Sequence, residues 1–349
     1  MNIEQNVWGF TEEGEAVVLY KMTNTHGAYV TLTNIGASIV GIGVPDREGK
    51  IEDVALGFRD FRDYFGDSGY LGKTCGRIAN RIARGRFTLN GVDYKLSINN
   101  GPNHLHGGPK GLAEVLWQGR VETNRVVFSY ISPDGEERYP GTVGVEVVYD
   151  WSDDCELEIT YYAKTDAPTI LNLTNHAYFN LKGEGRGDIL GHELKLNASR
   201  YLPTSSVTIP TGERDSVAGT PMDFTAGKPV GRDIGADFEQ IRFGNGYDHY
   251  WILDNWTKGK MQEAGTLYDP ESGRLLTIET TQAGVIFYTG NYLDGIGVNK
   301  NGQEHTRRCG LALECQNYPD APNHPDFPSV VLNPDETYEE HIIYRFSIR

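Results

Sequence analysis

Two stretches of this chain pair an ionisable side chain with an otherwise apolar strand pattern, and together they offer an acid and a base. In LTNHAYFNL, Leu173 to Leu181, a period of two puts Thr174, His176, Tyr178 and Asn180 on one face. Leu171, Leu173, Ala177, Phe179 and Leu181 fall on the other, with Asn175 the polar exception. GLALECQN repeats the design: Leu311, Leu313 and Cys315 share one face, Ala312, Glu314 and Gln316 the other. Taken singly, each stretch also fits a half-exposed antiparallel strand whose polar side meets water. Taken together, His176 and Glu314 form a pair suited to moving a proton.

Three further stretches could serve such a pair. NHLHGG, Asn103 to Gly108, sets His104 and His106 two apart, so that on a strand they share a face and could ligate a metal. No other cluster of metal-ligand spacing follows, and the paired glycines suggest a tight loop that brings one histidine close to a partner. GRIANRIARGRF gathers Arg77, Arg81, Arg84 and Arg86 in a local basic run. It is either a solvated face or the source of one inward arginine, whose planar fork suits hydroxyl or carboxylate recognition. GYDHYWIL sets Asp248 among Tyr247, His249, Tyr250 and Trp251. An acid among aromatic rings can hold a sugar, the carboxylate accepting hydroxyl hydrogen bonds and the rings covering C–H faces. There is no GxSxG elbow and no phosphate-binding glycine loop, so the pattern points to proton transfer rather than covalent catalysis or nucleotide binding.

The elements that must position these residues read as strands throughout. Asn90-Gly91 between RFTL and VDYKL is a strong hairpin signal. VVFSYIS runs into the Pro133-Asp134-Gly135 turn. Val143, Val145, Val147, Tyr149 and Trp151 alternate, as do Leu157, Ile159, Tyr161 and Ala163 after the next turn. Helical periodicity is scarce, with a short helix expected only at DFRDYFGD, Asp60 to Asp67. The expectation is one all-β domain over residues 1–349, a large antiparallel β-sandwich with long connecting loops.

Composition bounds the partners. A net charge of −16 over 349 residues repels phosphate backbones and anionic lipid, so neither nucleic acid nor a membrane surface is expected as a partner. Cys75, Cys155, Cys309 and Cys315 form no CxxC pair or zinc spacing and are expected as reduced, structural thiols. MNIEQNVWGF lacks a basic region followed by an apolar run, and no apolar stretch is long enough to span a bilayer. A cytoplasmic location is the expectation, and oligomeric state is not legible.

These motifs in this order resemble the galactose mutarotase, or aldose 1-epimerase, family. The resemblance runs from LTNIGASIVGIGVPDREGK through GRIANRI, LHGG, TNHAYFNL, GYDHYWIL, TTQAGVIFYTGN and ECQNYPDAPN to the last strands. It implies a galactose mutarotase-like supersandwich with the site in an open cleft on one sheet. It implies His176 as general acid, Glu314 as general base and His106 as a second histidine near the ring oxygen. It implies Arg81, with Asn80 before it, as the hydroxyl-binding arginine, and Asp248 as the carboxylate that holds sugar hydroxyls. Gln282 and Asn175 are implied as further substrate contacts, while His104 takes no role. The implied partner is a small aldose, with no cofactor and no metal. Three other readings stay open: a hexose-phosphate epimerase using several of the arginines, a non-catalytic sugar-binding module, and a glycosidase using Glu314 with Asp248.

Overall fold

The computed structural model describes all residues, Met1 to Arg349. Three antiparallel sheets dominate. A nine-stranded sheet runs in the order Gln118–Glu122, Arg125–Ser132, Val143–Trp151, Glu156–Thr165, Tyr338–Ile348, Arg274–Thr280, Gln262–Tyr268, Glu193–Leu196 and Lys228–Pro229. A six-stranded sheet runs Tyr178–Phe179, Leu311–Gln316, Gly284–Tyr288, Asp248–Ile252, Arg200–Leu202 and Asp215–Ser216. The first five strands, from Asn2–Phe10 to Ile51–Asp53, form a sheet in simple sequence order.

Alternation decides how the sheets stack. Val143, Val145, Val147, Tyr149 and Trp151 are all buried, and so are Leu157, Ile159, Tyr161 and Ala163. The nine-stranded sheet meets the other two through such side chains: the Tyr149 hydroxyl donates to the Ala37 carbonyl at 2.6 Å, and Tyr344 of Tyr338–Ile348 lies 5.1 Å from the Phe179 ring. A bridge between Ala55 and Phe179 joins the five- and six-stranded sheets edge to edge. The result is a sandwich, the nine-stranded sheet against the other two, around a continuous core of 57 buried residues.

The short-range signals fold as expected. Arg86–Leu89 and Val92–Lys95 form the hairpin, with Asn90 and Gly91 at φ of 50° and 78°, the left-handed pair that a two-residue turn requires. The segment expected to be helical holds a 3₁₀ turn over Phe61–Tyr64, capped by Asp60. All four cysteines are unpaired. No helix is long and apolar enough to cross a membrane.

Candidate active site

The six-stranded sheet builds the floor of a cleft. Its register places Tyr178 opposite Ala312, Ala312 opposite Tyr288, and Tyr288 opposite Asp248. Directly opposed strand residues share a face, so Tyr178, Tyr288 and Asp248 project together, and Glu314, two residues beyond Ala312, joins them. Leu311, Leu313 and Cys315 enter the core behind. The alternation read from the sequence therefore holds, but the polar face is not a solvated one. Every residue of Leu311–Gln316 is buried, because surrounding loops recess the sheet.

His176 arrives by a break in its strand. Thr174–Asn175 pairs with Thr74–Cys75, whereas Tyr178–Phe179 pairs with Leu311–Ala312. The unpaired step between them turns the imidazole into the cleft, where Nε2 lies 3.4 Å from Glu314 Oε1. The other polar residues of that face are tied to backbone: Thr174 Oγ1 donates to the Cys315 carbonyl, the Tyr178 hydroxyl to Gly69, and Asn180 to Cys309. Two buried polar atoms of the pair, His176 Nδ1 and Glu314 Oε2, have no protein partner. Leaving such an atom unmatched costs about 1–3 kcal/mol, so each asks for a reason.

His106 enters from a loop. Its strand ends at Leu105, and His106 itself has φ of 49°, followed by Gly107 and Gly108 in the positive-φ region. A Cβ on Gly107 would meet the Gly76 carbonyl oxygen at 1.7 Å, so only glycine passes there. This turn separates the two histidines that a straight strand would place together. His104 points away, its ring nitrogens 2.6 Å from the Ser97 carbonyl and 2.6 Å from the Tyr139 hydroxyl. His106 points into the cleft, and the Asn80 backbone N–H donates to its Nδ1 at 3.1 Å. Nδ1 is thus the unprotonated nitrogen, and Nε2 carries the hydrogen.

That tautomer bears on metals. His106, His176 and Glu314 offer ligand atoms within 4.8 Å of one another. Neutral imidazole binds a cation through its lone-pair nitrogen, and in His106 that nitrogen is already taken by Asn80. The trio is built for donating and accepting hydrogen, not for closing around an ion.

Arg81 and Asp248 form the other wall. Arg81 Nη2 is 3.6 Å from Asp248 Oδ2, and its Nε donates to Asn100 Oδ1 at 3.0 Å. Asn80 accepts the Arg81 backbone N–H on its side-chain oxygen, and Asp320 of the ECQNYPDAPN stretch grips the same segment. Asp320 N–H donates to the Arg81 carbonyl, and Asp320 Oδ1 accepts from Ala83 N–H, both at 2.9 Å. Of the basic run only Arg81 lines the cleft. Arg77 is buried and donates to the carbonyls of Ser132, Pro133, Pro140 and Gly141, while Arg84 and Arg86 are exposed elsewhere.

Electrostatics follow from burial. Burial pushes the Glu314 carboxyl well above the usual carboxylate range, with the negative Asp248 adding to it and Arg81 opposing. Burial holds His176 down to about 4, with Lys73 acting the same way and Asp248 against it. Burial also takes His106 well below the ordinary imidazole range, with His176 and Arg81 adding to it. The water-poor cleft therefore favours the neutral forms of both His176 and Glu314, a pair that shares one proton.

The cavity has a volume of about 270 Å³, and His106, His176, Glu314, Asn80, Arg81 and Asp248 all line it. Two expected substrate contacts do not. Asn175 is fully buried, its amide donating to the Gly72 carbonyl at 2.8 Å and its oxygen accepting from Ala177 N–H, so its polar atoms are spent on backbone. Gln282 faces a different recess beside Trp256 and Asn317, its amide directed at Tyr338 and the Leu173 carbonyl. Conversely Tyr70, Asn100, Tyr288 and Tyr292 line the cleft without having been singled out. Tyr288 could have been found from its alternation with the core residues Val285 and Phe287; Tyr70 could not, because it depends on a loop with φ of 55°.

Comparison with known proteins places this architecture. The family model for aldose 1-epimerase matches residues 18–345. The chain belongs to the aldose 1-epimerase family. The galactose mutarotase of Bos taurus is 43% identical, covering 100% of this chain and 99% of its own. The galactose mutarotase of Homo sapiens is 44% identical over 91% of each chain. The aldose 1-epimerase of Escherichia coli K12 is 36% identical over 96% of each. Among solved structures, an aldose epimerase homologue from C. elegans superposes with a TM-score of 0.86 at 32% identity, covering 95% of this chain and 98% of that one. Galactose 1-epimerase from Lactobacillus acidophilus gives 0.85 at 28% identity over 99% of each. With the family come the sandwich fold and the reaction class, that of an isomerase exchanging the anomers of aldoses.

Proposed function

We propose that this chain interconverts the α- and β-anomers of free aldohexoses such as galactose and glucose, with Glu314 as general base and His176 as general acid. The observation that carries the assignment is the 3.4 Å approach of His176 Nε2 to Glu314 Oε1 in a buried cleft. A cyclic aldose opens when its anomeric hydroxyl loses a proton and its ring oxygen gains one. Both oxygens sit on one carbon, so the acid and the base must converge on a region a few ångströms wide.

The shared proton explains how two groups driven neutral by burial can act. In the empty cleft burial favours protonated Glu314 beside neutral His176. A sugar hydroxyl donating to Glu314 Oε2 stabilises the carboxylate, as Arg81 already does, and the proton passes to His176. Glu314 then takes the anomeric proton, His176 protonates the ring oxygen, and the C1–O5 bond breaks to give the aldehyde. Rotation about C1–C2 presents the other face, and the two groups run in reverse to close the other anomer. His106 Nε2–H is a donor for the ring-oxygen side, and Arg81 with Asp248 holds hydroxyls remote from C1. Each positioned acid or base contributes about 10²–10⁴-fold. The scheme uses no cofactor and no metal.

The cavity is smaller than the roughly 300–1,000 Å³ clefts that take drug-sized ligands, which suits a single sugar ring. A phosphorylated hexose is disfavoured, because Arg81 is the only guanidinium or ammonium lining the cleft and it is already partnered by Asp248. Polarimetry on freshly dissolved α-D-galactose, α-D-glucose and glucose 6-phosphate tests the reading. Acceleration with the free sugars and little with the phosphate supports it; sugar binding with no acceleration over the spontaneous rate sinks it in favour of a binding module.

A further inference from the structure

The residues of the cleft do not explain why His176, on a broken strand, is held at all. Its backbone hangs on the loop Gly66–Lys73. His176 N–H donates to the Lys73 carbonyl at 2.8 Å, and Gly72 N–H donates to the His176 carbonyl at 3.0 Å. The side chain of the preceding Asn175 binds Gly72 as well. The same loop supplies Tyr70, whose ring stands 4.7 Å from the His106 ring and 6.1 Å from His176. One loop therefore packs against both histidines and carries the backbone of one.

What fixes the loop lies outside the cleft. Lys73 Nζ meets Glu114 Oε1 at 2.5 Å, and the other oxygen of Glu114 accepts the Gly66 N–H at 2.7 Å. One carboxylate thus pins both ends of the loop. The Lys73 side chain is fully buried, at 0% exposure, and that of Glu114 is 13% exposed. Within the loop, the buried Asp67 carboxylate accepts the N–H groups of Gly69 and Leu71, each at 2.7 Å, shaping the turn that presents Tyr70. A buried ammonium is an expensive way to close a loop, since an apolar side chain of similar length would bury without desolvation cost. Its geometric result is specific, because a charged hydrogen bond fixes both distance and direction.

We propose that Lys73 and Glu114 are positioning residues for anomer exchange: their ion pair clamps the Gly66–Lys73 loop and so holds the His176 imidazole at Glu314. The proposal rests on the acid–base reading of His176 and Glu314. Neither Lys73 nor Glu114 lines the cleft, so neither touches the sugar. Loosening the clamp lets His176 drift from its 3.4 Å approach to Glu314 while Arg81 and Asp248 still bind sugar. The charged and titratable groups around His176 are Lys73, Glu314, His106, Arg81, Asp248 and the phenols of Tyr70, Tyr178 and Tyr288. Of these, Lys73 alone is substituted in the variants that follow.

The experiment compares wild type, Lys73→Met, Lys73→Arg and Glu114→Gln by polarimetry across pH, alongside thermal unfolding. Lys73→Met is expected to lower kcat at least tenfold with KM within about twofold, and to move the acid limb of the pH profile upward, since a neighbouring cation is gone. Lys73→Arg, which keeps the charge, is expected to recover part of kcat and the original limb. Glu114→Gln is expected to lower kcat in the same direction but less. Wild-type kcat in folded Lys73→Met, even with a lowered Tm, overturns the proposal by making the pair merely structural. If Lys73→Met does not fold, wild-type kcat in Glu114→Gln overturns it equally. An inactive wild type would instead sink the acid–base reading and leave this comparison distinct from it.

Discussion

The Asn80 backbone N–H donates to His106 Nδ1 at 3.1 Å, while the His106 N–H returns to the Asn80 carbonyl at 3.0 Å. This reciprocal clasp fixes which ring nitrogen of His106 carries its hydrogen and aims that hydrogen into the cleft. Nitrogen-resolved NMR of labelled protein should show His106 as the neutral Nε2–H form throughout the active pH range. An Nδ1–H signal would break the assignment of His106 as a donor to the sugar.

Activity should span a broad pH range whose limbs belong to the His176–Glu314 pair jointly. Below the acid limb the pair holds two protons and no base remains. Above the alkaline limb it holds none and no acid remains. Burial keeps His176 down to about 4 and Glu314 well above the ordinary carboxylate range, so the two limbs are spread apart. A kcat profile with one narrow maximum near pH 6.5, the ordinary imidazole value, would contradict the coupled pair.

Asp248→Asn should weaken sugar binding more than it slows chemistry. It removes a charged hydrogen-bond acceptor, worth about 1.5–3 kcal/mol, from the wall opposite the proton pair. KM should rise by roughly tenfold or more, with kcat falling much less. A large kcat loss at unchanged KM would move Asp248 into the proton-transfer machinery.

Gln282→Ala should leave KM and kcat within about threefold of wild type, because the side chain faces Tyr338 and Leu173 rather than the cleft. The family resemblance alone leads to the opposite expectation. A strong KM effect would show that the side chain turns into the cleft when sugar is bound.

The buried Glu184 gives a stability test independent of the cleft. Burial lifts its carboxyl to about 7 despite the nearby Lys300, and its Oε2 has no partner. The folded state binds this proton more tightly than the unfolded chain, so its stabilising contribution is complete below about pH 4.5 and is lost as pH rises through 7. Glu184→Gln cannot ionise. Its Tm relative to wild type should therefore climb between pH 5 and pH 8, by an amount on the order of 2 kcal/mol or less in stability. A pH-independent difference would show that Glu184 ionises freely.

Strand alternation was enough to face Glu314 away from the core, and Asn90-Gly91 was enough to specify a hairpin, because both depend on neighbours in the chain. Alternation misled where the chain leaves the regular strand. The break at His176–Ala177 and the left-handed turn at His106 decide where those rings point, and neither has a periodic signal. Asn175 and Gln282 sit inside the right motifs but spend their amides on backbone or on the half-buried Tyr338. Tyr70 and Asn100 reach the cleft only through loop conformations, and the Lys73–Glu114 pair joins residues 41 apart in sequence.

In the proposed exchange one proton moves between His176 and Glu314 through the sugar. Polarimetric kcat for α-D-galactose with Glu314→Gln and His176→Asn, each verified as folded, tests it most directly. Each variant should lose at least a hundredfold while still binding galactose, and the double variant should be little worse than either single one, since half of an acid–base pair cannot act alone. Near wild-type turnover in either single variant would contradict it.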